Sequence, residues 1–243
     1  MKVSTASRVE EIWAELREEI LRGQYRPGER LPSERDLAAR FGANRGAVRE
    51  ALKKLEQMGI ADITPGGVRV VPVEEATLDV LGYILALGDR PDPTLLSQVL
   101  EVLGALMSMS AGKAVEAADD AQIEAMQSIV GRLIETRGNR EQQSELWNQL
   151  GLLFTSVNEN LVLRLILNGV KTQFVGLKSP EESDVRLDSA QDAQILARIA
   201  ENLSNRDARA VAAAVEDHFV LVRETVVDAV SRMNEQSRSV SNG

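Results

Sequence analysis

The chain has 243 residues, with 28 Lys+Arg against 37 Asp+Glu, a net charge of −9, and 44% hydrophobic residues. That length suits one large domain or two modest ones. Cysteine is absent and His218 is the one histidine, which excludes disulfides, thiolate zinc sites, cysteine nucleophiles and poly-histidine metal centres.

Aromatic residues make up only 3% of the chain, too few for ladders of bases stacked on aromatic platforms. No apolar run approaches the ~18–20 residues that span a bilayer. The N-terminal segment carries acids where a signal peptide needs unbroken apolar residues. The expected location is the cytoplasm, with no membrane partner. Net acidity alone argues against a nucleic-acid partner, but the charge is uneven. Residues 1–72 hold 13 basic and 11 acidic side chains, and residues 73–243 hold 15 and 26. Eight of the basic residues are Arg26, Arg30, Arg35, Arg40, Arg45, Arg49, Lys53 and Lys54. A basic module joined to an acidic one is the reading, with the boundary at 72–77.

Helical spacing begins at Ser7 with Val9, Ile12, Trp13, Leu16 and Ile20, and Gly23 closes that helix after Leu21. The segment after it contains Pro27 and Pro32 and cannot be helical throughout. Ser33 then caps a short helix over 34–41, with Glu34 and Asp36 favourable to its first turn. Asn44 is the next N-cap, opening a helix through Met58 that Gly59 stops. Val48, Leu52 and Leu55 share one face of it, and Arg45 and Arg49 share a neighbouring face. Two such helices around a tight turn form a helix-turn-helix, whose second helix presents its N-terminal side chains to a major groove. Ile60–Thr64 and Val68–Val71, joined through Pro65, Gly66 and Gly67, follow as a hairpin, the wing.

The run Arg26-Pro-Gly-Glu-Arg-Leu-Pro-Ser-Glu-Arg-Asp-Leu-Ala, then Arg45 and Val48-Arg-Glu-Ala-Leu52, resembles the N-terminal domain of the GntR family of bacterial transcription regulators. The resemblance covers about residues 8–72. It implies operator contacts by Arg35, Asn44, Arg45, Gly46, Arg49 and the wing residues Pro65, Gly66 and Gly67. Arg can fork onto guanine O6/N7, Asn can pair with adenine or a phosphate, and glycine permits close approach.

From Glu75 onward only helical patterning is visible. Thr77 is expected to cap a helix through Leu87, Asp92/Thr94 and Asp119/Asp120 to open two more, and further helices to cover 141–156, 161–177, 189–203 and 207–233. The fold class is mainly α: an N-terminal winged helix-turn-helix and a C-terminal all-α antiparallel helical bundle. The expected divisions are 1–72 for DNA binding, 73–77 as linker, 78–235 for effector binding and dimerisation, and 236–243 as a disordered tail.

The segment Asn158–Lys171 and the run Arg206–His218 resemble the effector domain of the FadR branch of that family. Most members of the branch hold a divalent metal with one Asp and three His. The matching positions here are Trp147, Gly151, Asp192 and His218, two of which cannot ligate a metal. The resemblance therefore points to the metal-free, acyl-CoA-responsive members, with no metal and no cofactor. An arginine common in the second effector-domain helix is Leu103 here. Leu103, Trp147, Gly151, Phe174, Asp192, His218 and Phe219 are the candidate effector contacts, an apolar set that is either a ligand cavity or a filled core. No nucleophile motif or glycine-rich phosphate loop accompanies His218, so no enzyme is expected. The expected partners are double-stranded operator DNA, a small-molecule effector and a second copy of the chain, with a repressor as the reading of function.

Overall fold

The computed structural model describes residues 5–88, 91–173 and 189–241. The chain forms two compact units, the first holding the described residues up to 88 together with Thr172 and Gln173 at the end of a later helix, the second holding the rest.

In the first unit α1 (Thr5–Leu21), α2 (Glu34–Arg40) and α3 (Arg45–Gln57) precede a hairpin of β1 (Ala61–Thr64) and β2 (Gly67–Val70). The apolar spacing of α1 buries Ile12 and Leu16 completely, against Leu37 of α2 and Val48, Leu52 and Leu55 of α3. Period-3.6 patterns on three helices thus converge on one core. The strands pair antiparallel with Ala61 opposite Val70 and Ile63 opposite Val68, and Val68 and Val70 close the core beneath the hairpin. The proline-bounded segment before α2 adds a third line of pairing to the wing. Leu31 N–H donates to the Val68 carbonyl and Val70 N–H to the Glu29 carbonyl, both at 2.9 Å. Sequence spacing gives the wing two strands; this extra bridge, Arg30 opposite Arg69, is non-local.

The segment expected as a linker, 73–77, is packed onto the first unit. Thr77 N–H and hydroxyl both donate to the Met58 carbonyl at the end of α3, so 73–77 is fastened down rather than a free linker. Gly59, at φ +73°, makes the approach feasible, since a Cβ there would lie 3.1 Å from Ala76 Cα. Thr77–Leu87 was expected as a helix of the bundle. It forms instead a 3-10 turn (Leu78–Val80) and α4 (Leu81–Leu85), with Val80 buried in the first core. Tyr83 meets Trp13 edge-on at 5.7 Å between centroids, and the Arg17 guanidinium lies over both rings at 3.7 and 4.3 Å. A five-residue helix has too little length to stand alone. Its apolar side chains settle it on α1.

The second unit is built of α5 (Pro93–Ala117), α6 (Asp120–Glu135), α7 (Arg140–Val157), α8 (Leu161–Gln173), α9 (Ser189–Ser204) and α10 (Ala208–Ser241). Asp92 caps α5, a reciprocal Asp119–Gln122 capping box opens α6, and Asn139 caps α7. Met126, Val130 and Leu133 of α6 meet Leu150 and Phe154 of α7, Leu196 and Ile199 of α9, and Ala214 and Val215 of α10. Small residues set the spacing of α5 and α10: a Cβ at Gly104 would lie 2.7 Å from Phe219 Cβ, and one at Gly112 3.2 Å from Ala212 Cβ. Those contacts rise along α5 while they fall along α10, so the two helices are antiparallel. By length and composition α5 is long and apolar enough to cross a membrane, which corrects the expectation that no such stretch exists. Part of that apolar surface is taken up in the core by Ala111, Ala114 and Val115. The terminal helix runs to Ser241, past residue 235 where a tail was expected to begin.

Because Val80 belongs to the first core, Val80→Ala is expected to destabilise that unit by about 1–3 kcal/mol. Urea unfolding followed by Trp13 emission in a Trp147→Phe background checks this. Trp13 lies in the first unit and Trp147 in the second.

Candidate functional site

Two helix starts organise the first unit's exposed cations. At α2 the Ser33 hydroxyl accepts from Asp36 N–H, and its own hydrogen goes to the Asp36 carboxylate at 2.5 Å. At α3 the Asn44 side-chain oxygen accepts from Ala47 N–H at 2.8 Å. Asn44, read as a contact to adenine or a phosphate, has its oxygen committed to this cap. Gly46 has a local reason too: a Cβ there would sit 3.1 Å from that oxygen. The cap fixes the first turn of α3 and projects Arg45 and, one turn on, Arg49 into solvent.

The basic residues differ sharply in what holds them. Arg40 is tied to Glu15 and Glu19 on α1, which pushes its pKa up, chiefly through the hydrogen bonds to Glu19. Lys54 pairs with Glu10 and Lys53 with Glu50. Arg49 makes a two-pronged pair with Glu34 of α2. Arg35, with its side chain 79% exposed, is only loosely met by Asp36 at 3.6 Å. Arg26, Arg30 and Arg45 make no side-chain ion pair among the described residues. The eight basic residues named from the sequence thus contain a smaller set of open guanidinium groups.

At the wing, Pro65 and Gly66 are the turn, and Gly67 opens β2 at φ +116°, a conformation that favours glycine. The Arg30 side chain lies along this turn, its Cδ 3.4 Å from where a Gly67 Cβ would be. Arg69 is spent on the Gly28 carbonyl at 2.8 Å. Arg30 is a wing-side cation that sequence reasoning did not place there. It stood in the basic run, but only the non-local pairing of 28–31 with β2 carries it to the wing.

In the second unit His218 and Asp192 are buried, with Nδ1 and Oδ1 3.7 Å apart. That exceeds a hydrogen bond, and neither atom has another partner among the described residues. Trp147 stacks on the imidazole at 3.7 Å between centroids and Phe219 meets it edge-on at 5.7 Å. Gly151 is filled from across the bundle: a Cβ there would lie 2.8 Å from Met107 Cε. Leu103 is half-buried on α5, beside Gly104. Phe174 lies outside the described residues. The structure therefore gathers Trp147, Asp192, His218 and Phe219 around one point, with Met107 as a neighbour that the sequence did not suggest. Among the described residues no group of three or more His, Cys, Asp or Glu side chains could hold a metal ion. Asp192 and His218 alone do not make the four-ligand site of the resembling branch.

A winged helix-turn-helix with open arginines and a separate all-helical unit defines a two-module, regulator-type architecture. Residues 8–71 match the gntR family of bacterial regulatory proteins, and residues 98–221 match the FCD domain. The chain belongs to the GntR family, in its FCD-bearing branch, and the family consists of transcriptional regulators, not enzymes. It is 38% identical over 101 residues to the HTH-type transcriptional regulator Mce2R of Mycobacterium tuberculosis, across 41% of this chain and 42% of that one. The chain thus spans less than half the length of that relative. It is 30% identical over 162 residues to a fatty acid metabolism regulator protein of Erwinia tasmaniensis, across 63% of this chain and 64% of that one. Among solved structures, that of Lar, which controls the agr system of Listeria monocytogenes, shares the fold. The TM-score is 0.53 at 17% identity, over 90% of this chain and 95% of that one.

Burial lowers the His218 pKa from its ordinary value of 6.5, and the nearby Asp192 carboxylate only partly opposes this. The folded imidazole is neutral at pH 7, whereas the unfolded one takes up a proton as pH falls through 6.5. In that window the unfolded state binds more protons, so stability falls as pH falls. Thermal unfolding is expected at lower temperature at pH 5.5 than at pH 7.5, with part of the difference removed in His218→Leu.

Proposed function

We propose that this chain is a transcriptional regulator, a repressor of metabolic genes, that binds operator DNA as a homodimer in the cytoplasm and answers to a small-molecule effector. The observation that carries the DNA reading is the pair of capped helix starts that leaves Arg45 exposed without an ion pair and Arg35 exposed with only a loose one, in a unit that also carries a glycine-rich wing. Open arginines at the start of a recognition helix can fork onto guanine O6/N7, and the wing's Arg30 can follow the backbone or the minor groove. One such helix reads half an operator, so two copies on half-sites about 34 Å apart give a two-fold complex.

For the effector, support comes from the orphaned polar atoms of Asp192 and His218 inside an otherwise apolar set. Buried polar atoms without partners are uncommon and suit a ligand that supplies the missing hydrogen bonds. The apolar surroundings, Trp147 and Phe219, favour an acyl-bearing metabolite, fatty acyl-CoA among them. The name of the Erwinia relative agrees with this. We propose further that the unit works without a metal or other cofactor. A second reading rests on the stacking of Trp147 on His218 and the filling of Gly151 by Met107: the bundle is a dimerisation core without an effector.

Selection from random duplexes is expected to yield a pseudo-palindromic site, and Arg45→Ala to lose ~1–3 kcal/mol of discrimination at one base pair per half-site. Wild-type protein that selects no sequence would remove the DNA reading. Dose-dependent thermal stabilisation by acyl-CoAs or fatty acids is expected for the effector reading. No shift with any of them favours the dimerisation core.

A further inference from the structure

The Glu34–Arg49 pair is the one ion pair that ties α2 to α3 across the turn of the helix-turn-helix among the described residues. Arg49 Nε donates to Glu34 Oε1 at 2.9 Å, and Arg49 Nη2 donates to Glu34 Oε2 at 2.8 Å. Both side chains are open to solvent, 60% exposed for Arg49 and 35% for Glu34. A pair this exposed adds little to stability because water screens it. Its geometry is more informative than its strength.

A guanidinium has five N–H groups in a rigid plane. The side-on pair uses the Nε hydrogen and one Nη2 hydrogen, leaving the outer edge of Nη1 and Nη2 free. That edge has no partner among the described residues. The carboxylate therefore fixes the plane and the aim of the guanidinium without occupying the edge that pairs with two adjacent acceptors. Guanine O6 and N7 are such a pair of acceptors in the major groove. A phosphate on the same edge would be brought close to the Glu34 anion, whereas the guanine edge is neutral. Glu34 is held below the usual carboxylate range by its hydrogen bond to Arg49, so it stays charged at neutral pH.

We propose that Glu34 is a positioning residue for sequence reading: it buttresses Arg49 so that the outer guanidinium edge reads a guanine. The proposal rests on the DNA-binding reading above. It assigns Glu34 a role in specificity that its place in the first turn of α2 does not require, since Ser33 and Asp36 already serve that turn.

The test uses the full-length chain and an operator obtained by selection from random duplexes. Affinities of wild type, Arg49→Ala, Glu34→Ala, Glu34→Gln and the double variant Glu34→Ala/Arg49→Ala are measured on that operator. They are measured again on operators with single G·C→A·T changes. Arg49→Ala is expected to lose discrimination at one G·C pair by about fivefold or more. Glu34→Ala should lose much of the discrimination at that same pair, Glu34→Gln should lose less, and the double variant should be no worse than Arg49→Ala. Circular dichroism and thermal unfolding identify any variant that fails to fold, and Glu34→Gln retains the shape of the wild-type side chain. Unchanged discrimination in both Glu34 variants overturns the proposal. So does tighter binding, which would make the pair a latch over Arg49, or an even loss across all sequences, which would mark a phosphate contact. Wild-type protein that selects no operator removes the DNA reading and this proposal with it.

Discussion

The hydrogen bond from Ala47 N–H to the Asn44 side chain sets the geometry on which the DNA-facing surface depends. It ends the turn after α2, starts α3 and fixes the direction in which Arg45 and Arg49 leave the helix. A cap of this kind stabilises a helix by about 1 kcal/mol, little beside the burial of Leu52 and Leu55. Its importance is geometric. The buried face of α3 is decided by Val48, Leu52 and Leu55, and the cap decides where along that face the first exposed arginine stands.

Charge in this unit is partitioned by the same helices. Cations that point toward α1 are neutralised, Arg40 by Glu15 and Glu19 and Lys54 by Glu10. Arg26, Arg30 and Arg45, by contrast, have no side-chain ion pair among the described residues. The chain total of −9 hides this, because electrostatic steering of an anion depends on local potential and not on the sum. An acidic second unit is compatible with a basic surface on the first wherever the two are further apart than a Debye length of ~8 Å.

Much of the first unit was legible in the sequence because its signals are local. Ser33 and Asn44 announce helix starts, Gly59 announces a stop, and Pro65-Gly66-Gly67 announces a turn. The family pattern placed Arg35, Arg45 and Arg49 on the surface where they are found. What escaped was non-local. Thr77 bonding to Met58, Val80 entering the first core, Arg30 lying along the wing and Glu34 gripping Arg49 all join residues distant in sequence. Periodicity describes one element at a time and carries no information on which other element it meets. The bundle shows the same division: helix starts at Asp92 and Asp119 were readable, while Met107 against Gly151 was not.

The buried Asp192–His218 pair poses a different constraint from the caps. Leaving a buried polar atom unpaired costs on the order of 1–3 kcal/mol, and here two such atoms face each other at 3.7 Å. A core selected for stability alone would replace them with apolar side chains of similar volume. Retaining the pair amid Trp147 and Phe219 keeps a polar point inside an apolar unit. On the effector reading proposed above, that point is where a ligand would be recognised; on the dimerisation-core reading it remains an uncompensated cost. The distinction is energetic: a ligand that completes both hydrogen bonds gains what the unliganded protein forgoes. The same ligand would bias whichever arrangement of the chain keeps the two atoms within its reach.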